Sequence, residues 1–199
     1  DVFGGLFEVQ PKDLKSYIEN NEAFIKDATK DGANGSNRVY SVAKLLEDAP
    51  KYDDINTDWI RALSWARRLF EDYFANKPKD LLYKFPLDSL SESGEKFWIG
   101  SKRPPTPAVF DPSNELHMEF VYSAAKLYFG MFGLQPLVRD DERDAEMIKT
   151  KVTVPVFNPA VENIDGTVEL DVALDRLKKA TEELESNSTQ KSHLRPDNI

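Results

Sequence analysis

Few side chains in this sequence have the type and spacing for chemistry. The 199 residues include no cysteine and only two histidines, so there is no thiolate nucleophile, disulfide or cysteine-ligated metal. His117 and Glu119 are not a metal pair, because a helical zinc site needs two histidines four apart and the other, His193, is far along the chain. His117 is expected instead to pack near the start of a helix and to hydrogen-bond the adjoining loop. Asp27, Asp31 and Gly32 echo a calcium loop, yet Thr29 takes the third ligand position and Arg38 stands where the bidentate glutamate belongs. A helix-ending turn explains them better. The acidic run 140–146 suits a solvated first turn at the positive end of a helix. Asn187-Ser188-Thr189 spells a glycosylation sequon, but nothing else indicates secretion. A hydrolase built on His117 with Asp111 or Glu119 would lack a nucleophile, and no Gly-rich phosphate loop, nucleophile elbow or catalytic carboxylate pair can be read. The residues alone therefore assign no catalytic, cofactor-binding or metal-binding position.

The bulk properties narrow the class. A formal charge of −9 opposes a phosphate-backbone ligand, which needs a basic face. No nucleic-acid partner is expected. No apolar run approaches the roughly 18 residues of a membrane span, and no signal peptide is evident. With 40% hydrophobic and 11% aromatic residues the chain can offset its ordering entropy and bury a core. It opens on Asp1 rather than Met, so the expectation is an excised, soluble, acidic, intracellular fragment.

The elements that must position any site are mostly helical. Phe3, Leu6 and Phe7 suggest the end of a helix stopping at Gln10-Pro11, and a second stripe runs through Leu14, Tyr17, Ile18, Phe24, Ile25 and Ala28, broken near Asn20-Asn21. A Gly/Asn turn cluster over 31–37 ends it, and Val39 to Ala49 form a short amphipathic helix. The clearest helix spans 57–76 on Trp59, Leu63, Ala66, Phe70, Tyr73 and Phe74, capped by Asn56 or Thr57 and followed by a one-turn helix over 78–83. Residues 85–114 hold five prolines and two glycines without a sustained period: a long ordered loop packed by Phe85, Phe97, Trp98 and Phe110. Another helix, 114–132, ends at Gly133 as its C′ residue, and Asp140 opens the next. Val152, Val154 and Val156 alternate like a strand, confined to an edge by Pro155. A last helix over 170–185 precedes about a dozen polar, mobile residues. The expected class is mainly α, a multi-helix domain with a long Pro/Gly/aromatic loop and at most a short edge strand.

The loop carries a longer pattern. It reads Phe97-Trp98-Ile99-Gly100-Ser101-Lys102-Arg103-Pro104-Pro105-Thr106-Pro107, then Phe110-Asp111, Asn114 and His117, and Ala124-Ala125 up to Gly133. This resembles the second catalytic-cysteine half-domain of eukaryotic ubiquitin-activating enzymes, with its Phe-Trp-x-Gly-x-Lys-Arg-x-Pro-x-Pro, Phe-Asp, Asn-x-x-His and Ala-Ala helix. Gly5-Leu6-Phe7, Trp65-Ala66-Arg67, Leu81-Leu82, Phe85-Pro86, Gly94 and Val154-Pro155-x-Phe157-x-Pro159 extend the likeness over 1–160. Ile99 and Val156 depart from the small polar residue and the Glu usual there, and 139–149 and the residues after Asp165 match poorly. Residues 161–199 are read as a C-terminal helix and polar tail of the same domain.

The resemblance implies a parent enzyme that uses ATP and Mg²⁺ in a separate adenylation domain to activate the ubiquitin C-terminus. It holds the acyl group as a thioester on a cysteine upstream of Gly5-Leu6-Phe7 and passes it to a ubiquitin-conjugating enzyme. A thiolate suits the task, being strongly nucleophilic at neutral pH. The cysteine-free fragment is then expected to scaffold that domain, to hold no cofactor and to be inactive alone, in a cytoplasmic and nuclear enzyme. Lys102 and Arg103 either pair with local carboxylates and helix ends or lie near the missing cysteine, where positive charge favours a thiolate. A stand-alone helical interaction module is the alternative reading.

Overall fold

A computed structural model of the chain describes residues 8–52, 54–160 and 168–192, with side chains to residue 186. The expected helix end over residues 1–7 lies outside them. The helices are α1 (Gln10–Glu19), α2 (Asn21–Ala28), α3 (Gly32–Glu47), α4 (Ile55–Phe70), a π-helical turn (Glu71–Asn76), α5 (Lys77–Lys84), α6 (Glu115–Met131), α7 (Asp141–Lys151) and α8 (Leu170–Ser192). Two compact units divide the chain, one over Asp1–Ala62, Leu127–Leu137 and Thr167–Ile199, the other over Leu63–Lys126 and Val138–Gly166.

In the first unit, Pro11 sits in the first turn of α1, where its missing N–H costs nothing. Asn20 makes the expected break: its side chain accepts the Ala23 N–H at 2.9 Å and restarts the helix as α2. The 31–37 turn cluster, by contrast, is helical. α3 begins at Gly32, whose φ of +55° suits glycine, and Gly35 permits the approach to α2, because a Cβ there would stand 1.8 Å from the Ala28 carbonyl oxygen. Glycine and asparagine usually interrupt helices; here close packing overrides that tendency. Arg38 then bonds Asp13 at 3.0 Å and Asp27 at 3.0 Å, with Asp31 at 3.9 Å. The carboxylates of the calcium-like run are therefore held by a guanidinium.

α3 packs most extensively against α8. Arg176 binds Glu47 bidentately through the Nε–Nη2 edge of its guanidinium and donates from Nη1 to Tyr40 at 2.8 Å, and Tyr17 and Thr181 share a 2.8 Å hydrogen bond. The core holds Leu14, Val39, Val42, Trp59, Phe129 and Leu177. Trp59 meets Phe129 edge-on at 5.5 Å, and the buried Tyr128 hydroxyl donates to the Leu45 carbonyl at 2.8 Å. Each such buried bond contributes about 1 kcal/mol. Gly133 (φ +71°) closes α6 as expected, with Leu134 N–H returning to Phe129 at 3.3 Å. The helical backbone of α8 continues through Ser192, taking in the sequon and residues expected to be mobile.

In the second unit, α4, the π-turn and α5 are consecutive rather than separate helices. Pro78 supplies the reason for the π-turn. It offers no N–H to the Phe74 carbonyl four residues earlier, and its ring crowds that carbonyl. The turn widens, so that Lys77 N–H bonds Asp72, and the freed Phe74 oxygen accepts the Ala108 N–H at 2.7 Å. Asp54, not Asn56 or Thr57, caps α4 at its far end, accepting the Thr57 N–H at 2.9 Å. Asp140 caps α7 through the Arg143 N–H at 3.0 Å. Within the acidic run Asp144 is buried against Arg143 at 2.8 Å rather than solvated. Residues 152–156 form no strand. Among the described residues the sole β-bridge joins Leu90 and Lys96.

Candidate functional site

The long loop is the region whose sequence pattern is most specific, and it is built in two halves. In the first, Phe85 stacks on Phe97 with centroids 4.3 Å apart and planes 6° from parallel, while Trp98 meets Phe97 edge-on at 4.9 Å. The indole N–H of Trp98 donates to the Phe85 carbonyl at 2.9 Å, and Phe97 N–H donates to Ser89 at 2.8 Å. Glycines at positive φ, Gly94 (+81°) and Gly100 (+63°), make the two reversals that this closure needs. The aromatics thus pack the loop, as their sequence predicts.

The second half is tied to helices. Beyond the Ala108–Phe74 bond, Phe110 meets the buried Phe70 edge-on at 5.2 Å, and Phe70 also touches His117 at 4.8 Å and Phe120 at 5.8 Å. Arg67 lies over the Phe110 face at 4.1 Å and binds Glu71 at 2.8 Å. His117 Nδ1 accepts the Asp111 N–H at 3.1 Å, the expected loop contact. That bond leaves the imidazole proton on Nε2. The Asp111 carboxylate accepts from the Ser113 hydroxyl (2.6 Å) and N–H (2.8 Å), which hold its pKa below the usual carboxylate range. Glu119 is held low by Arg139, which also binds Asp141. Asp111 and Glu119, the partners a hydrolase would require of His117, are bonded to Ser113 and Arg139. Among the described residues no three His, Asp or Glu side chains gather as a metal site.

Lys102 and Arg103 follow the Gly100 turn, where Lys102 N–H bonds Ile99 at 3.1 Å. Both are exposed. The Lys102 ammonium lies 4.8 Å from the Phe97 ring centroid, over its aromatic face. Arg103 makes no ion pair among the described residues.

A groove of about 250 Å³ lies in this unit, lined by Arg67, Phe110, Pro112, Ile148, Lys149, Val152 and Val154. Its walls come from α4, the loop, α7 and the segment after it. The alternation of Val152 and Val154 is its trace in the sequence, marking an apolar edge of the groove rather than a paired strand.

Residues 1–197 match the family model "Ubiquitin-activating enzyme, SCCH domain". The match continues past residue 160, where the sequence correspondence is weak. Ubiquitin-like modifier-activating enzyme 1 of Dictyostelium discoideum is 35% identical over 163 residues, 80% of this chain and 15% of the relative. Ubiquitin-activating enzyme E1 1 of Triticum aestivum is 33% identical over 161 residues, 79% and 15% respectively. Ubiquitin-like modifier-activating enzyme 6 of Homo sapiens is 36% identical over 122 residues, 61% and 11%. The chain spans about 15% of the length of the first two relatives.

Proposed function

Because the chain belongs to the ubiquitin-activating enzyme SCCH domain family, we propose that it is the cysteine-free helical body of a catalytic-cysteine domain. The parent enzyme would adenylate the ubiquitin C-terminus with ATP and Mg²⁺ in a domain outside this sequence. It would form a thioester on a cysteine also outside it, then transfer ubiquitin to a conjugating enzyme. Cytoplasm and nucleus are the proposed places of action. Ubiquitin and conjugating enzymes are partners of the parent.

The observation that supports this reading best is the long loop. Its Phe97-Trp98 turn is fixed by a stacked ring and an indole hydrogen bond, and its Phe110-Asp111 end is anchored on His117 and Phe70. The residues carrying the family pattern are thus the ones giving the loop a single shape. A loop held this way can present a neighbouring thiol and cover it without itself reacting. Lys102 and Arg103 stand on its exposed edge. Their proposed role is local: a positive field close to the thiol lowers its pKa.

The test is ATP-dependent, thiol-sensitive formation of a ubiquitin adduct on the parent protein and on a version lacking residues 1–199. Loss of the adduct in the deletion is expected. An unchanged adduct would overturn the scaffold reading and favour an independent interaction module. Lys102→Ala/Arg103→Ala in the parent should slow thioester formation and raise the pH at which it reaches half its maximum; identical pH profiles would remove the electrostatic role alone.

A further inference from the structure

The groove beside α7 has the attributes of a peptide site, and this conclusion does not rest on the proposed parent activity. Five of its seven lining residues are apolar, namely Phe110, Pro112, Ile148, Val152 and Val154, and its volume of about 250 Å³ accommodates one bulky apolar side chain. The other two are cations. Arg67 spends one guanidinium nitrogen on Glu71, and among the described residues its Nε and second terminal nitrogen make no hydrogen bond. Lys149 makes no ion pair among the described residues. Asp111 is the nearby carboxylate that feels Lys149, and its oxygen is bound by Ser113. In a chain of formal charge −9, two cations with donors to spare at one apolar groove are complementary to an anionic ligand.

A second observation fixes the form of that ligand. Val152 leaves α7 in extended geometry (φ −96°, ψ 124°), and the segment continues to Phe157 without regular structure. Among the described residues, the main-chain groups of Thr153, Val154, Val156 and Phe157 neither donate nor accept a hydrogen bond. Thr153 is exposed while Val152 and Val154 line the groove. An open main-chain edge above an apolar groove is the arrangement by which an extended peptide adds itself as a strand.

We propose that residues 152–157 and the adjoining groove dock an extended peptide segment of a partner protein, in which a bulky apolar side chain fills the groove between carboxylates that reach Lys149 and Arg67. Main-chain bonds to the open edge supply alignment, and the two cations select acidic flanks.

The experiment follows backbone amide shifts of the ¹⁵N-labelled 199-residue chain during titration with acetyl-Leu-Asp-Phe-Asp-Leu-amide. Saturable shifts centred on Lys149, Val152 and Val154 are expected. The uncharged analogue with Asn in place of both Asp should bind about tenfold more weakly, and Lys149→Gln should weaken the acidic peptide about three- to fivefold. Val154→Asp, which puts a negative charge into the apolar lining, should abolish saturation. Equal binding of both peptides, shifts that saturate elsewhere, or no saturable shift at millimolar peptide would each overturn the proposal. Unchanged amide spectra of the free variants away from the substituted residue separate lost binding from lost folding.

Discussion

The two halves of the long loop solve one problem differently. Both order a stretch that has almost no regular secondary structure, yet the half around Phe97 closes on itself, whereas the half around Phe110 is fastened to helices. Phe85, Ser89, Phe97 and Trp98 bond one another across at most thirteen residues. Phe110, Asp111 and Ala108 reach instead to Phe70, His117 and the Phe74 carbonyl. A self-closed segment can change without disturbing the helices, but a fastened one transmits any change to them. Loop order thus has two costs: local closure needs aromatics and glycines close in sequence, and anchorage needs a free polar group on a helix.

Four substitutions test that distinction. The largest effect is expected at the anchor. Phe70→Ala removes a buried ring that touches Phe74, Phe110, His117 and Phe120, and should cost about 3–4 kcal/mol in chemical denaturation. Phe97→Ala, in the self-closed half, should cost only about 1 kcal/mol. Equal losses would mean that both halves are coupled to the core alike.

Next comes the π-turn. Pro78→Ala restores an N–H that competes with Ala108 for the Phe74 oxygen. Amide exchange at Ala108 should accelerate about fivefold, the size of one modest hydrogen bond, while exchange at Phe97 stays as it was. No acceleration at Ala108 would dissociate the turn from the proline.

The smallest effect concerns pH. The Ser113 hydroxyl and N–H lower the Asp111 pKa in the folded state. A depressed folded value gives stability that is present above the unfolded value, about 3.9, and is lost as pH falls through the folded one. Ser113→Ala should therefore raise the Asp111 pKa toward the ordinary value, remove the stability this carboxylate contributes above that value and flatten the loss of stability in acid. A carboxyl titration by NMR that leaves Asp111 in place after the substitution would refute the assignment.

How far the sequence disclosed this molecule depended on the range of the forces involved. The Asn20 break, the Gly133 stop and the aromatic packing of the loop were legible, because caps and positive-φ glycines act within a few residues. The helical start of α3 at Gly32 was hidden, since it depends on α2 accepting a glycine face. The widened turn at Glu71–Asn76 was readable in principle from Pro78, whose missing N–H points to Phe74, but its use by Ala108 needed the fold. The valines at 152 and 154 alternate as a strand does, and only the structure shows that they flank a groove with no partner strand among the described residues. For the site, the Phe-Trp pattern stood out, whereas the groove is assembled from three separated stretches, of which only Val152 and Val154 leave a mark in the sequence.

Position 35 carries a consequence beyond helix geometry. One hydrogen atom is all that fits between the two backbones there, and Arg38 stands a single turn further along the same face. Swapping in even a methyl group would pry the α2 main chain outward and pull the Asp27 carboxylate away from its cation. The Asp27 charge would then lose its partner beside two further acids, Asp13 and Asp31. The smallest residue type thereby governs a knot of three like charges around one cation.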